Sequence, residues 1–231
     1  MTTTLFNEKM KLADIIAANH NLILMLPRLG IALGFGDKSV QQVCQLHNIS
    51  PSFVLLIFNA YTFDHYRPDT SELARIDMSM LVPYLMASHS YYMDQRIPHI
   101  ARHLKHVADT IEPRYGRVLE QFLSDYQQQV HLHFEEEEQR VFPLLQRLQQ
   151  GYANSDSPNR SFIDSHTDIE DRLQDLTQIV YKYLPSTAMP EEHIELIFDI
   201  LQLSADLEKH AMIEEKIMMP YFSMLSENNK A

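Results

Sequence analysis

The sequence predicts an all-α protein, in which a small helical N-terminal domain precedes an antiparallel four-helix bundle. Only 5 of the 231 residues are glycine, and the chain is dense in Leu, Met, Glu and Gln, which favour helix. From about residue 72 onward, apolar residues recur at steps of three and four over long stretches, as on the buried face of an amphipathic helix. Short turn-forming segments separate these stretches, and helices joined in this way pack as antiparallel neighbours.

Composition limits the classes of function. Apolar residues make up 45% of the chain, which is enough for a substantial core, and the net charge is −12. A phosphate backbone is bound by clustered Lys and Arg, so we expect no nucleic-acid partner. A single cysteine, Cys44, excludes an intramolecular disulfide and a thiolate metal cluster within one chain. The N-terminal residues lack a signal-peptide layout and no apolar run has the length of a membrane span, so we expect a cytoplasmic protein that has no membrane partner.

Residues 1–66 are predicted to form the small helical domain. Helical patterns cover residues 7–26, 40–48 and 51–63, and the turn at 27–39 holds three of the five glycines. The segment "DHYRPDTS" (64–71) combines Pro, Asp, Thr and Ser and is interpreted as a linker.

Residues 72–228 are predicted to form the bundle. The first helix spans about 72–110, and the second spans about 113–150 and ends at Gly151, a residue suited to a helix C-terminus. Pro158 is placed to begin a third helix, to about 183, and Pro190 a fourth, to about 226.

Each of these four helices has an apolar stripe that is interrupted near its middle by a histidine. Two stripes also hold a glutamate one turn later. In "VHLHFEEEEQRVFPLL" (130–145), His131 and His133 lie about 200° apart around a helix, so only one can face the core. His133 shares the stripe of Val130 and Val141, whereas His131 lies on the polar face. Three of the four consecutive glutamates are accordingly assigned to solvent or to the surroundings of the site: Glu135, Glu136 and Glu138.

An internal repeat supports this register. His89 precedes His133 by 44 residues, and His166 precedes His210 by the same number. The second histidine of each pair is followed at i+4 by a glutamate and at i+10 by a proline. The pattern H-x43-H-x3-E-x5-P therefore occurs twice, which predicts two related helical hairpins about a pseudo-two-fold axis. Their histidines and glutamates would meet in the middle of one core.

Ionised carboxylates are costly to bury, and two that face each other are costlier still unless a cation neutralises them. Six nitrogen and oxygen ligands without sulfur suit iron, manganese or zinc. Each glutamate can bridge two metals and two histidines can complete each metal, with an oxide or hydroxide bridge to balance the charge. The predicted metal ligands are His89, His133, Glu137, His166, His210 and Glu214.

Taken singly, these features are common in proteins without metal. A lone histidine on an apolar stripe is usually a satisfied core residue, and an H-x3-E pair is often a simple i,i+4 contact. The repeated conjunction of four histidines and two glutamates is what favours a metal site. His99, His103 and His106 also cluster, but mostly off the stripe, and are assigned to the surface or to the surroundings of the site.

At these positions the chain resembles the hemerythrin-like cation-binding (HHE) domain, over about residues 75–226. "HFEEEEQRVFP" and "HAMIEEKIMMP" are similar to the paired segments of that family, with Met219 where Phe is usual. The N-terminal stretch from Leu12 to Gln45 is similar to the short domain that precedes the bundle in the RIC (repair of iron centres) proteins. That domain normally carries a Cys-Cys pair where this chain has Gly34 and Phe35, so the resemblance does not imply a thiol role here.

The resemblance implies a non-haem di-iron protein that acts in nitrosative or oxidative stress. Its cofactor would be two iron ions with an oxo or hydroxo bridge, and manganese or zinc could replace iron on purification. Its partners would be O2 or NO and an iron–sulfur client protein, and a homodimer is compatible with the sequence. Whether the protein is an enzyme is left open by the sequence.

Three other functions compete with this one. An O2 or NO sensor or carrier without turnover would use the same site. A ferritin-like oxidase is disfavoured because the sequence lacks Glu-x-x-His. A metal-free helical adaptor would leave the two core glutamates without counter-charge.

Overall fold

The computed structural model describes residues 4–152, 161–183 and 190–229. Regular secondary structure in these ranges is helical, apart from an isolated bridge between Lys11 and Ser39. This confirms the predicted all-α class. The chain divides into two compact units, one of Met1–Ser88 with Met212–Ala231 and one of His89–Ala211. The predicted domain limits, 1–66 and 72–228, stay a prediction.

The first unit contains short helices before residue 88 and the C-terminal helix. Its helices are α1 (Leu12–Ala18), a 3₁₀ helix (His20–Leu24), α2 (Met25–Arg28), α3 (Val40–His47), α4 (Pro51–Thr62), α5 (Thr70–Leu73), most of α6 (Leu81–Ser90) and α12 (Met219–Asn228). The helix expected over 7–26 is broken at Asn19, where φ is −145°. The Asn19 side chain accepts a hydrogen bond from the Asn21 N–H and donates one to Thr62, and these bonds stabilise the break.

Standard capping sets the limits of α3 and α4. Ser39 and Gln42 form a reciprocal capping box at the start of α3, and Ser50 accepts from the Phe53 N–H ahead of α4. The apolar side chains of α4 are mostly buried within the chain. Burial raises the pKa of the Cys44 thiol to about 11. A thiol that stays protonated is a poor nucleophile, which agrees with the replacement of the Cys-Cys pair by Gly34 and Phe35.

Four helical stretches build the second unit. The first has a π-helical segment (Tyr91–Arg96) followed by α7 (Ile97–Asp109); the second has α8 (Pro113–Glu136), a π-helical segment (Glu137–Val141) and α9 (Phe142–Gln149); the third is α10 (Ser161–Tyr183); the fourth is α11 (Pro190–Ile213). A third π-helical segment (Glu214–Met218) follows α11. These limits agree with the predicted helices except that the first long helix begins at Leu81, after a turn in which Asp77 accepts from the Ser79 N–H. Pro158 and most of the loop residues predicted on either side of α10 lie outside the described ranges.

A single core joins all four stretches of the second unit. Each contributes buried apolar side chains, among them Ile100, Leu104, Leu123, Val130, Leu173, Leu176, Ile200 and Leu203. Contacts between α7 and α11 run in opposite directions along the two helices, since His103 meets Asp199 while His106 meets Glu192. The short turn between α7 and α8 makes that pair antiparallel as well. The bundle predicted from the periodicity is therefore present.

The π-helical segments have a shared cause in the sequence. A proline is the second residue of the helix that follows each segment: Pro98, Pro143 and Pro220. A proline has no N–H to donate, and its ring clashes with the carbonyl four residues earlier. In each case that earlier residue lies within the π-helical segment, where the wider turn relieves the clash. Two of these segments begin at Glu137 and Glu214, the glutamates predicted to bind metal.

Candidate metal centre

The second unit brings five of the six predicted ligands together. His89 is at the end of α6, His133 is in α8, Glu137 begins a π-helical segment, His166 is in α10 and His210 is in α11. Four of the five are buried, and His133 is only 8% exposed. The inward register predicted for His133 and Glu137 agrees with the structure, in which His131 and Glu135 are exposed.

Glu137 lies between two pairs of histidines. Its Oε2 is 3.2 Å from His89 Nε2, and His89 Nε2 is in turn 3.1 Å from His210 Nε2. Its Oε1 is 3.2 Å from His133 Nε2 and 3.5 Å from His166 Nε2. The two oxygens of one carboxylate therefore face different histidine pairs.

The electrostatics of Glu137 favour the carboxylate. Burial raises the pKa of Glu137, but the interactions with His133, His166 and His89 outweigh it and hold the pKa well below the ordinary value. Neither carboxylate oxygen has a partner with good hydrogen-bond geometry, although both are buried. Imidazole nitrogens that converge on a buried anion without directed hydrogen bonds are what a shared cation would require.

The donor set fits metal ions. His89, Glu137 and His210 form one group whose candidate ligand atoms lie within 4.8 Å of one another, and His133, Glu137 and His166 form a second. Glu137 is common to both groups. Imidazole and carboxylate ligands without sulfur suit iron, manganese or zinc.

Neighbouring side chains fix the orientation of His89. Its Nδ1 lies 2.9 Å from Glu138 Oε1, and its ring stacks on Phe134 with centroids 3.8 Å apart. Carboxylates that hold the second nitrogen of a ligand histidine fix its tautomer and raise its basicity. Sequence reasoning placed Glu138 only in solvent or near the site, and the structure assigns it this contact.

Glu214, the sixth predicted ligand, belongs to the first compact unit. Its side chain is fully buried, and it begins the π-helical segment that continues α11. It follows His210 by four residues, as Glu137 follows His133.

A cavity of about 380 Å³ opens beside His89. It is lined by His89, Ser90, Met93, Asp94, His131, Phe134, Glu135, Glu138 and Gln139. His131 and Glu135, the alternative pair with H-x3-E spacing, are therefore at this opening and not among the converging ligands. The cavity is large enough to admit a diatomic molecule to the side of His89.

Sequence reasoning did not find a further cluster formed by His99, His103 and Asp199. The H-x3-H spacing of the two histidines was a signal, but the sequence did not show that Asp199 of α11 would meet them.

Comparison with known proteins identifies the relatives of the chain. Residues 92–222 match the sequence model of the Hemerythrin HHE cation binding domain, so His89 lies three residues ahead of the matched range. The chain is also 20% identical over 152 residues to the "Iron-sulfur cluster repair protein ScdA" of Staphylococcus haemolyticus (strain JCSC1435). That alignment covers 64% of this chain and 68% of the relative. Among the described residues, no helix is both long and apolar enough to cross a bilayer.

Proposed function

This chain belongs to the hemerythrin HHE cation-binding domain family, and on that premise we propose that it is a non-haem di-iron protein that acts in the repair of iron–sulfur centres under nitrosative or oxidative stress. The activity would be binding or reduction of NO or O2, or supply of iron to a damaged cluster. Two observations support the proposal: the geometry of Glu137 and the similarity to an iron–sulfur cluster repair protein.

The position of Glu137 is the observation that carries the di-iron proposal. One oxygen faces His89 and the other faces His133 and His166, so one carboxylate can serve two metal ions. Two histidines are then available to each ion. A single metal ion would leave one of the histidine pairs buried without a ligand role.

The proposed ligands are His89 and His210 for one ion and His133 and His166 for the other, with Glu137 shared. Glu214 is proposed as the second shared carboxylate, because the 44-residue repeat matches it to Glu137 and it is fully buried. When bound, the two iron ions would supply one-electron chemistry and coordination positions for a small ligand. Glu138 holds the His89 ring, Phe134 covers that ring, and the buried environment excludes water from the carboxylate.

The N-terminal residues give no support for a thiol reaction. Gly34 and Phe35 stand where the resembling proteins have cysteines, and the thiol of Cys44 is buried. We therefore assign the activity to the metal centre. Cys44→Ala is expected to retain both metal content and activity.

Metal analysis together with an absorption spectrum of aerobically purified protein tests the proposal. About two irons per chain and an oxo-to-iron charge-transfer band are expected. Protein that holds a single metal ion after reconstitution with excess iron would contradict the shared role of Glu137. A sequential NO-consumption assay with reductant then separates turnover from the alternative, an O2 or NO sensor or carrier, which would bind NO once per site and stop. The cavity beside His89 is the proposed route of the ligand in either case.

A further inference from the structure

Helices α7 and α11 carry a second convergence of histidines and a carboxylate. His99 and His103 are four residues apart on α7, so they lie on the same face of the helix. Asp199 of α11 meets both: its Oδ2 is 3.2 Å from His99 Nε2 and 3.0 Å from His103 Nδ1. Two imidazoles thus converge on one carboxylate oxygen.

The other oxygen of Asp199 is held in place by the protein. Arg96 Nη2 lies 3.0 Å from Asp199 Oδ1 and also donates to the Asp199 carbonyl and to the side chain of Gln202. A carboxylate that binds a metal through one oxygen is commonly fixed by a hydrogen bond to the other. Arg96 and Asp199 are only 15% and 21% exposed, so this orientation is built into the helix interface.

Charge and access also suit a cation. Burial raises the pKa of Asp199, but the hydrogen bond from His103 and the charges of Arg96 and His99 outweigh it, so the pKa is below the ordinary value and the side chain is an anion at neutral pH. His103 is 16% exposed and His99 is 50% exposed. The half-exposed side of the cluster leaves room for a water ligand.

We propose that His99, His103 and Asp199 form a second metal site, separate from the proposed di-iron centre. It would bind a divalent transition-metal ion such as Zn²⁺. Two histidines and one carboxylate, with solvent in the fourth position, are a recurrent zinc ligand set. The imidazoles disfavour Mg²⁺ and Ca²⁺, which prefer oxygen ligands. None of the three residues is a proposed ligand of the first centre.

A bound ion at this site would join two helices of the second unit. Its ligands come from α7 and α11, which otherwise meet here through hydrogen bonds and ion pairs. An ion that binds the folded chain and not the unfolded one raises the melting temperature with its concentration. The alternative is an ion-pair network with no metal, in which Asp199 only receives hydrogen bonds from Arg96, His99 and His103.

Calorimetric titration of Zn²⁺ into the iron-loaded full-length protein, at mildly alkaline pH, distinguishes the metal site from the metal-free ion-pair network. One zinc per chain beyond the iron already bound is expected. His99→Ala, His103→Ala and Asp199→Asn should each weaken zinc binding by at least about ten-fold, the scale set even by lost second-shell contacts. Iron content and circular dichroism should match the unmodified protein in all three variants, which distinguishes this site from the di-iron centre.

His106→Ala is the matched control. His106 is also on α7 and pairs with a carboxylate of α11, Glu192, at 3.1 Å, but no second histidine among the described residues pairs with that carboxylate. It should leave zinc binding unchanged, and zinc should raise the melting temperature of this control but not of His103→Ala. The proposal is overturned if the iron-loaded protein takes up no zinc, or if His106→Ala weakens zinc binding as much as His103→Ala does.

Discussion

Glu137 is a buried carboxylate that needs a counter-charge. It is 1% exposed and ionised, and an ion taken out of water costs several kcal/mol unless other charges or hydrogen bonds offset the loss. Three imidazoles approach it at 3.2–3.5 Å. Imidazole dipoles alone offset part of that cost, and cations shared with the histidines would offset the rest.

Glu137→Ala is therefore expected to lose at least one metal ion per chain and to reduce occupancy by about ten-fold or more, since even second-shell losses have effects of that size. Glu135→Ala is the matched control, because Glu135 follows His131 with the same spacing but is exposed. It should change the free energy of unfolding by less than about 0.5 kcal/mol and keep the metal. Iron counts on the two purified variants decide the matter, and loss of iron from Glu135→Ala would show that the proposed ligands are wrong.

Glu138 should act through His89. Replacing Glu138 with Ala removes the carboxylate 2.9 Å from His89 Nδ1, and we expect metal affinity to fall by about 10–100-fold, as for other carboxylates that orient a ligand histidine. Glu136→Ala is the control, since Glu136 is exposed and pairs with Arg140 instead. Competition with a chelator measures both affinities. Equal retention of metal by the two variants would mean that Phe134 stacking alone orients the ring.

At the scale of residues, hydrophobic periodicity and the internal repeat predicted which side chains face the core. The spacing His133–Glu137 is identical to His131–Glu135, so local geometry could not choose, and the 44-residue repeat made the choice that burial now supports. Contacts between helices were beyond that reasoning. The contact of Glu138 with His89 depends on how two helices face each other, and so do the contacts of Asp199 with His99 and His103. Such contacts produce no periodic pattern in the sequence.

At the scale of elements, the π-helical segments determine how the glutamates are presented. A π turn inserts one extra residue, so the helix after it is rotated relative to a regular α-helix. The prolines were visible in the sequence as part of the repeat. Their effect on the backbone was not, because a helix with an internal proline can kink, end or widen.

Pro143→Ala tests this connection. Alanine restores an N–H and removes the clash with the carbonyl of Gln139, so residues 137–141 are expected to tighten toward a regular α-helix and to shift Glu137 relative to its histidines. We expect lower iron per chain with an unchanged helical content by circular dichroism. Pro113→Ala is the control, since Pro113 occupies the first turn of α8, where no hydrogen bond is restored. Equal loss of iron from both variants would show that the π-helical segment is not what positions Glu137.

The hairpin of α7 and α8 depends on close approach at Gly116. A Cβ at this position would lie 2.8 Å from the Ala108 carbonyl oxygen, which is too close to be accommodated without movement of the backbone. Gly116→Ala is therefore expected to destabilise the protein by about 1–3 kcal/mol, the usual cost of overpacking. This would be opposite in sign to the gain of up to about 1 kcal/mol from helix propensity. Urea denaturation measures the change in the free energy of unfolding. Ser124→Ala, at an exposed position of the same helix, is the control. A Gly116→Ala variant more stable than the unmodified protein would show that α7 and α8 can move apart to accommodate the Cβ.

The existence of the long helices could be read from hydrophobic period, but some of their limits could not. The helix expected to start at residue 72 begins at Leu81, because α5 and the Asp77 turn take the residues between. Asn19 divides a stretch whose composition favours helix throughout, since its side-chain hydrogen bonds compensate for the broken turn. Side-chain hydrogen bonds of this kind compete with the backbone hydrogen bonds of the helix, and composition does not show which of the two will form.

At the scale of the whole molecule, the proposed ligands connect distant parts of one chain. His89, Glu137, His166 and His210 come from four different helical stretches, and each is buried. Metal that binds only when these stretches are assembled adds its binding free energy to folding.

Removal of the metal is accordingly expected to lower the melting temperature. At a free metal concentration about 100 times the Kd, binding contributes about 2.7 kcal/mol, which for a chain of this length corresponds to about 5–10 °C. Calorimetry of the protein before and after chelation measures the shift, with elemental analysis to show that the metal has gone. Glu137→Ala provides the control, because a variant that has already lost at least one metal ion should show a smaller shift on chelation than the unmodified protein. If the unmodified protein melts unchanged once its iron is removed, the buried carboxylate is stabilised by the imidazoles alone, and the metal is no part of the fold.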